Sequence, residues 1–133
     1  MEQRSGSVER YISLIFEQKG EHAEAVRHNL IALHQSMPQL DTDALHAVYE
    51  RHGWQSYWRA HIRALQTASA GPCTAYEIGV DDLRLNELDH AFDFFQHALD
   101  NHCFNMALTR VDPLFDSVRQ DPRYTALQKR MHQ

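Results

Sequence analysis

The chain has 133 residues, 43% of them hydrophobic, which suits one domain of ordinary size built round a core. Thirteen Lys and Arg stand against eighteen Asp and Glu, a formal charge of −5 with the ten histidines neutral. That balance argues against direct nucleic-acid binding, because a phosphate backbone rewards clustered cations. No apolar run reaches the roughly 18–20 residues of a membrane span, and Met1–Ser7 has no signal-like apolar stretch. The expectation is a cytoplasmic chain with no membrane partner, unless it is part of something larger.

Residues 1–7 are polar and are expected to be disordered. Val8 to Lys19 is predicted as a helix with Ile12, Ile15 and Phe16 on one face. Gly20 ends it, where a left-handed residue closes a helix. A second helix, Glu21 to Gln35, carries Ala25, Leu30, Ala32 and Leu33 and stops at Met37-Pro38. Asp41 or Thr42 can cap a third helix through Tyr49 and His52, which Gly53 ends. Trp54 to Thr67 is a fourth, with Trp54, Trp58, Ile62 and Leu65 at helical steps. Ser69-Ala70-Gly71-Pro72 reads as a turn, and Pro72 suits the first turn of the helix that follows.

Thr74–Leu85 and Asp89–His102 are predicted as a helical hairpin, and the rest of the chain is organised around it. Ile78, Val80 and Leu85 mark the first helix, and Ala91, Phe92, Phe94, Phe95, Ala98 and Leu99 form a broad apolar face on the second. Small residues at 91 and 98 admit a close partner helix. Cys73 and Cys103 flank the hairpin, whose antiparallel helices bring them to one end. A bridge there is geometrically conceivable, but two free, partly buried thiols are the expectation. Two cysteines make no disulfide framework.

The turn residues Gly20, Gly53 and Asn86 are separated by 33 residues each. Sliding the chain by that period aligns Ile12 with Leu45 and Ile78, Ala25 with Trp58 and Ala91, and Ala32 with Leu65 and Ala98. It also sets Phe16 on Tyr49 and then on Asp82. This is the period of helix-pair solenoids.

On these residues the chain resembles the tetratricopeptide repeat family. The segments Gln18-Lys19-Gly20-Glu21-His22-Ala23-Glu24-Ala25 and Leu85-Asn86-Glu87-Leu88-Asp89-His90-Ala91 look like that family's turn and second-helix start. Ile12-Ser13 and Ile78-Gly79 match its Leu-Gly pair, and Ala32 and Ala98 match its later alanine. The middle unit departs, with Trp58 in place of the packing alanine, and Asn29 and Asp82 stand where an aromatic is usual. The resemblance covers about residues 8–105.

The tail, Val111 to Tyr124, holds two Asp-Pro steps, each setting an N-cap carboxylate before a proline at the first helical position. Two short helices, 113–119 and 122–131, are expected to cap the stack through Leu114, Phe115, Val118, Tyr124, Leu127 and Met131. Arg119, Arg123, Lys129 and Arg130 read as the solvated face of the last helix. With the preceding hairpin and Gly53-Trp54-Gln55-Ser56-Tyr57-Trp58, the tail resembles the C-terminal tetratricopeptide region of bacterial multidomain regulators. In those, such a region follows a winged-helix, kinase or cyclase domain.

No two histidines lie three or four apart, so no helix face offers a two-histidine bite and no His-Glu-x-x-His motif exists. Cys73, His102 and Cys103 could converge, but packed thiols and a surface histidine are the expectation, with no metal and no cofactor. Glu24/His28 and Asp93/His97 read as surface pairs worth about 0.2–0.5 kcal/mol. No nucleophile or Gly-rich phosphate loop is recognisable, so a non-catalytic chain is expected. Asp82 must be paired or protonated if buried; Arg84, Arg110 or a terminal arginine is the expected partner, and a ligand-facing acid is the alternative.

The expected fold is all-α, a short right-handed solenoid of three antiparallel helix pairs, 8–38, 41–70 and 72–105, with a two-helix cap over 106–133. The expected function is binding of a protein or peptide along a concave face formed by the first helix of each pair. The register assigns that face Arg10, Leu14 and Glu17; Asp43, Ala47, Glu50 and Arg51; and Tyr76, Val80, Leu83 and Arg84, with Asp82 beside them. The family's chaperone-tail clamp needs Asn one turn after a basic residue. Arg10 fits and Leu14 does not. A small-molecule-sensing regulatory domain is the second reading and an unrecognised enzyme the third.

Overall fold

A computed structural model describes residues 7–68, 71 and 73–132. Among them are nine helical segments and no strand. They are α1 (Ser7–Gln18), α2 (His22–Ser36), α3 (Thr42–His52), α4 (Trp54–Ala68), α5 (Thr74–Arg84), α6 (Leu88–Asp100), two 3-10 segments (Phe104–Arg110 and Pro113–Val118) and α7 (Pro122–Met131). The fold is therefore all-helical, and each predicted helix is present. The expected disorder at the N-terminus falls outside the described residues except at Ser7, which opens α1. Pro72 likewise lies outside them; α5 begins after Cys73. The 3-10 segment after α6 was not anticipated.

All three periodic turn residues adopt positive φ: 76° at Gly20, 92° at Gly53 and 59° at Asn86. Two of the turns share one hydrogen-bond pattern. Glu21 N–H donates to the Phe16 carbonyl, and Glu87 N–H donates to the Asp82 carbonyl, both at 2.9 Å. Each bond spans the left-handed residue and satisfies a helix-end carbonyl. His102, at φ 61°, repeats the device after α6, with Cys103 N–H on the Ala98 carbonyl.

By its contacts the chain divides into two compact units, Met1–Ala64 and Leu65–Gln133. In the first, α1 packs on α2 and α2 on α3. Ala25 and Val26 are fully buried, and Ser13 Oγ donates to the Ala25 carbonyl at 2.6 Å, tying α1 to α2. Asp41, not Thr42, caps α3, accepting from Ala44 N–H. Tyr57 and Trp58 are buried, and the Tyr57 hydroxyl donates to Asn29 Oδ1. Trp58, one period from Ala25 and from Ala91, is fully buried as they are.

In the second unit α6 packs on α5, and the family-like glycine has a steric cause. A Cβ on Gly79 would lie 2.5 Å from the Phe95 ring. Ala91 and Ala98 are likewise fully buried. The 3-10 segment Pro113–Val118 packs on α5, and α7 packs on α6. Asp112 and Asp121 cap these elements as expected, accepting from Leu114 and Arg123 N–H. Leu114, Phe115, Val118, Tyr124, Leu127 and Met131 all join one apolar cluster with Tyr76, Phe92 and Phe95.

Two expectations are corrected here. Cys73 and Cys103 are bridged, with their Cα atoms 5.0 Å apart. The hairpin brings both to one end, as anticipated, and so close that they meet as a disulfide rather than as free thiols. Nor are the tail arginines a purely solvated face. Arg123 pairs with Asp89 of α6 and lies over the Phe92 ring, and Arg130 reaches Asp100 and Gln96. Arg119 donates to the carbonyls of Thr109 and Asp112, the Tyr124 hydroxyl and Asp116.

Candidate functional site

The expected concave set separates into three groups. On α1, Arg10, Leu14 and Glu17 are half-buried. On α3, Asp43, Glu50 and Arg51 are exposed and Ala47 is half-buried. On α5 the assignment fails, because Tyr76, Val80, Asp82 and Leu83 are all buried. The cause is the tail. Phe115 stacks on Tyr76 at 6.4 Å between ring centroids, and the Tyr76 hydroxyl donates to Asp112 Oδ2 at 3.4 Å. The segment expected to cap the end of the stack covers the α5 face assigned to the ligand. Residues 78 through 83 are buried without a break, so α5 presents no open side there.

Beside Asp82, the neighbouring acid on α5 has an arginine partner. Arg84 donates to Asp81 Oδ1 at 2.8 Å, and both side chains are nearly enclosed. A buried carboxylate needs such a partner, because desolvation strongly disfavours an uncompensated charge. Asp82 contributes its carbonyl to the turn bond from Glu87.

The accessible apolar surface of the first unit is the outer side of α1. Val8, Tyr11 and Ile15 are 59, 50 and 56% exposed. At about 100° per residue these three span about 60° of the helix, directly opposite the buried Ser13. Ile15 was expected in the core with Ile12 and Phe16. The helix is turned so that Ser13, Phe16 and Glu9 meet α2 instead. The stripe is about 10 Å long at 1.5 Å per residue. Leu14 lies beside it, whereas the half-buried Arg10 and Glu17 lie about 130° and 150° round the helix from its centre, toward Ser13. In the second unit Phe104 and Val111 are 82 and 74% exposed, at either end of the first 3-10 segment.

Between α1 and α2 sits the most structured polar group. His28 Nδ1 lies 2.5 Å from Glu9 Oε2, Arg27 Nη2 lies 3.1 Å from His28 Nε2, and Phe16 stacks on the imidazole at 5.3 Å. Guanidinium only donates, so Nε2 accepts and the imidazole proton sits on Nδ1 facing Glu9. A carboxylate-oriented imidazole is the shape of a general base, but here its outer nitrogen faces Arg27. Arg27 also bonds Glu24, which holds the Glu24 carboxyl below its ordinary range. At α7 the same physics acts twice. Arg130 holds the Asp100 carboxyl low and Arg123 holds that of Asp121 low.

Among the described residues no three His, Cys, Asp or Glu side chains gather so as to hold a metal ion. The bridge occupies both sulfurs of the Cys73/His102/Cys103 arrangement. Among the same residues no helix is long and apolar enough to cross a membrane. No protein-family model, curated protein or solved structure matches the chain.

Proposed function

We propose that the chain is a non-catalytic protein-binding module, built of tetratricopeptide-like hairpins in a short right-handed solenoid, that docks an apolar-faced helix of a partner protein on α1. The hairpin reading is supported by the shared geometry of the Gly20-Glu21 and Asn86-Glu87 turns, each followed by a fully buried alanine, Ala25 or Ala91. The observation that carries the binding reading is the exposed Val8, Tyr11 and Ile15 stripe. Steps of three and four residues are those of a helix–helix seam, which selects a helix as the partner element. Aromatic anchors such as Tyr11 dominate binding energy in such contacts, and Leu14 beside the stripe extends the apolar seam. Asp43, Glu50 and Arg51 remain candidates for a second contact.

A role as the interaction part of a bacterial signalling or transcription regulator belongs to the same proposal. So does the cytoplasmic setting, and the disulfide is the feature that pulls against it, since thiols are kept reduced there. The sensing alternative calls for a pocket round Tyr76, Asp82 and Leu83, whereas Tyr76 and Leu83 pack in the apolar cluster with Phe95 and Phe115.

The test places a photocrosslinking side chain at position 11 and, as a control, at the exposed His34 on α2. A defined heterologous product should form from position 11 alone and disappear in Ile15→Glu, with helicity unchanged by circular dichroism. Equal products from position 34, or retained capture by Ile15→Glu, would overturn the docking face. Products consisting of two copies of this chain would replace the partner with self-association.

A further inference from the structure

We propose that the Cys73–Cys103 bridge is a folding-coupled crosslink, installed by a disulfide donor on an already packed hairpin, and not a redox switch. The packing that brings the sulfurs together does not depend on them. Gly79 seats the Phe95 ring, Ala91 and Ala98 let α5 and α6 close, and Asn86 turns the chain between them. Cys103 is placed by main-chain bonds. Its N–H donates to the Ala98 carbonyl at 2.9 Å, and its own carbonyl accepts from Met106 N–H at 3.1 Å. The reduced hairpin therefore holds the two thiols at high effective concentration, which favours the intramolecular bond over mixed disulfides.

Burial acts in the same direction. Cys103 sits in the apolar cluster with Tyr76, Phe95, Met106 and Phe115, and Cys73 packs against it from the rim. An attacking thiol finds Cys73 the less buried sulfur, and Cys103 would then have to leave as a thiolate among apolar side chains. Such surroundings disfavour the thiolate, so exchange is slow in both directions once the tail residues Met106 and Phe115 close over Cys103, and the bond forms on the packed hairpin before they do. Forming the bond is a two-electron oxidation of the pair. The Cys73 thiolate attacks the donor disulfide and releases one donor thiol. The Cys103 thiolate then attacks the mixed disulfide at Cys73 and releases the second. Both cysteine protons are lost and the donor leaves fully reduced. The donor class is a small-molecule or protein disulfide, met once at maturation; thereafter the fold holds the bond against a thiol pool.

Linkage sets the size of the effect. Whatever factor the bridge adds to the folding equilibrium, folding adds to the stability of the bridge. For the separation of 30 residues between the cysteines, the chain-entropy relation gives a factor of about several hundred. The full chain is equilibrated in glutathione buffers of graded ratio, with and without denaturant, then quenched by alkylation and counted by mass. Half-reduction of the native chain should require a several-hundredfold more reducing ratio than that of the unfolded chain. Coincident curves would overturn the proposal. A second reading is the reduction rate by excess thiol. It should rise steeply with denaturant below the unfolding transition, as for a bond exposed by opening of the fold. A native rate that is fast and indifferent to denaturant would mark an accessible switch instead.

Discussion

Gly79→Ala should destabilise the second unit, although alanine is the better helix former. In a helix interior the exchange gains about 1 kcal/mol from propensity. Against this, the new methyl would lie 2.5, 2.8 and 3.0 Å from three atoms of the Phe95 ring. The ring is fully buried between Tyr76, Phe92 and Phe115, at centroid distances of 6.0, 5.9 and 5.0 Å, and has no free direction in which to yield. Overpacking of this kind costs about 1–3 kcal/mol, and with three aromatic rings set round Phe95 we expect the upper part of that range, leaving a net loss of about 1–2 kcal/mol. Urea unfolding followed by circular dichroism measures it. A double-mutant cycle with Phe95→Leu, which withdraws the ring, isolates the cause. The two changes together should cost at least about 1 kcal/mol less than their sum. A stabilised Gly79→Ala, or a cycle with no coupling, would refute the close packing of α5 on α6.

Acid should loosen α7 first. The carboxyls of Asp100 and Asp121 are held low by Arg130 and Arg123. Their contribution is therefore complete above the ordinary carboxylate range and is lost as pH falls through the depressed folded values. Amide exchange in residues 122–131 should accelerate below about pH 4 before α5 and α6 respond; simultaneous loss everywhere would contradict this. Asp112→Ala removes both the cap on Leu114 and the Tyr76 acceptor, and should cost about 1–3 kcal/mol in thermal or urea unfolding. Asp112→Asn keeps the Oδ1 acceptor for Leu114 N–H and sets an amide Nδ2–H beside the Tyr76 hydroxyl, which can turn to accept from it; it should lose less than half of that, and equal losses would assign the effect to charge.

What was legible in the chain was whatever depends on a residue's own backbone or on its nearest neighbours. Gly20, Gly53 and Asn86 stood out because positive φ is cheap for glycine and tolerable for asparagine. His102 adopts the same conformation and went unseen, since histidine is common in every setting. The Asp-Pro caps were read correctly because cap and proline act within one turn. Helix limits followed from these turn and cap residues, and the alignment of Ala25 with Ala91, both buried, from the period. Less legible were pairings set in space. Arg123 with Asp89 and Arg130 with Asp100 lie 34 and 30 residues apart, so no local pattern announces them. Glu9 and His28, 19 residues apart, are another such pair.

The candidate site shows where periodicity stops being informative. A 33-residue repeat assigns each position the same face in every unit, and for the buried alanines of the first and third hairpins that assignment holds. It fails at Tyr76, Val80 and Leu83 because equivalence by period assumes equivalent surroundings, and the α5–α6 hairpin has a tail packed against it. On α5 Tyr76 meets Phe115 and Asp112, Val80 and Leu83 join the same apolar cluster, and apolar burial of that size outweighs solvent exposure at about 25 cal/mol per Å². On α1, Val8, Tyr11 and Ile15 meet no such cover among the described residues of the first unit and remain half exposed or more. Exposed apolar side chains in one helical stripe are the feature that a fold alone does not require. The proposed binding face therefore lies on α1 and not on α5.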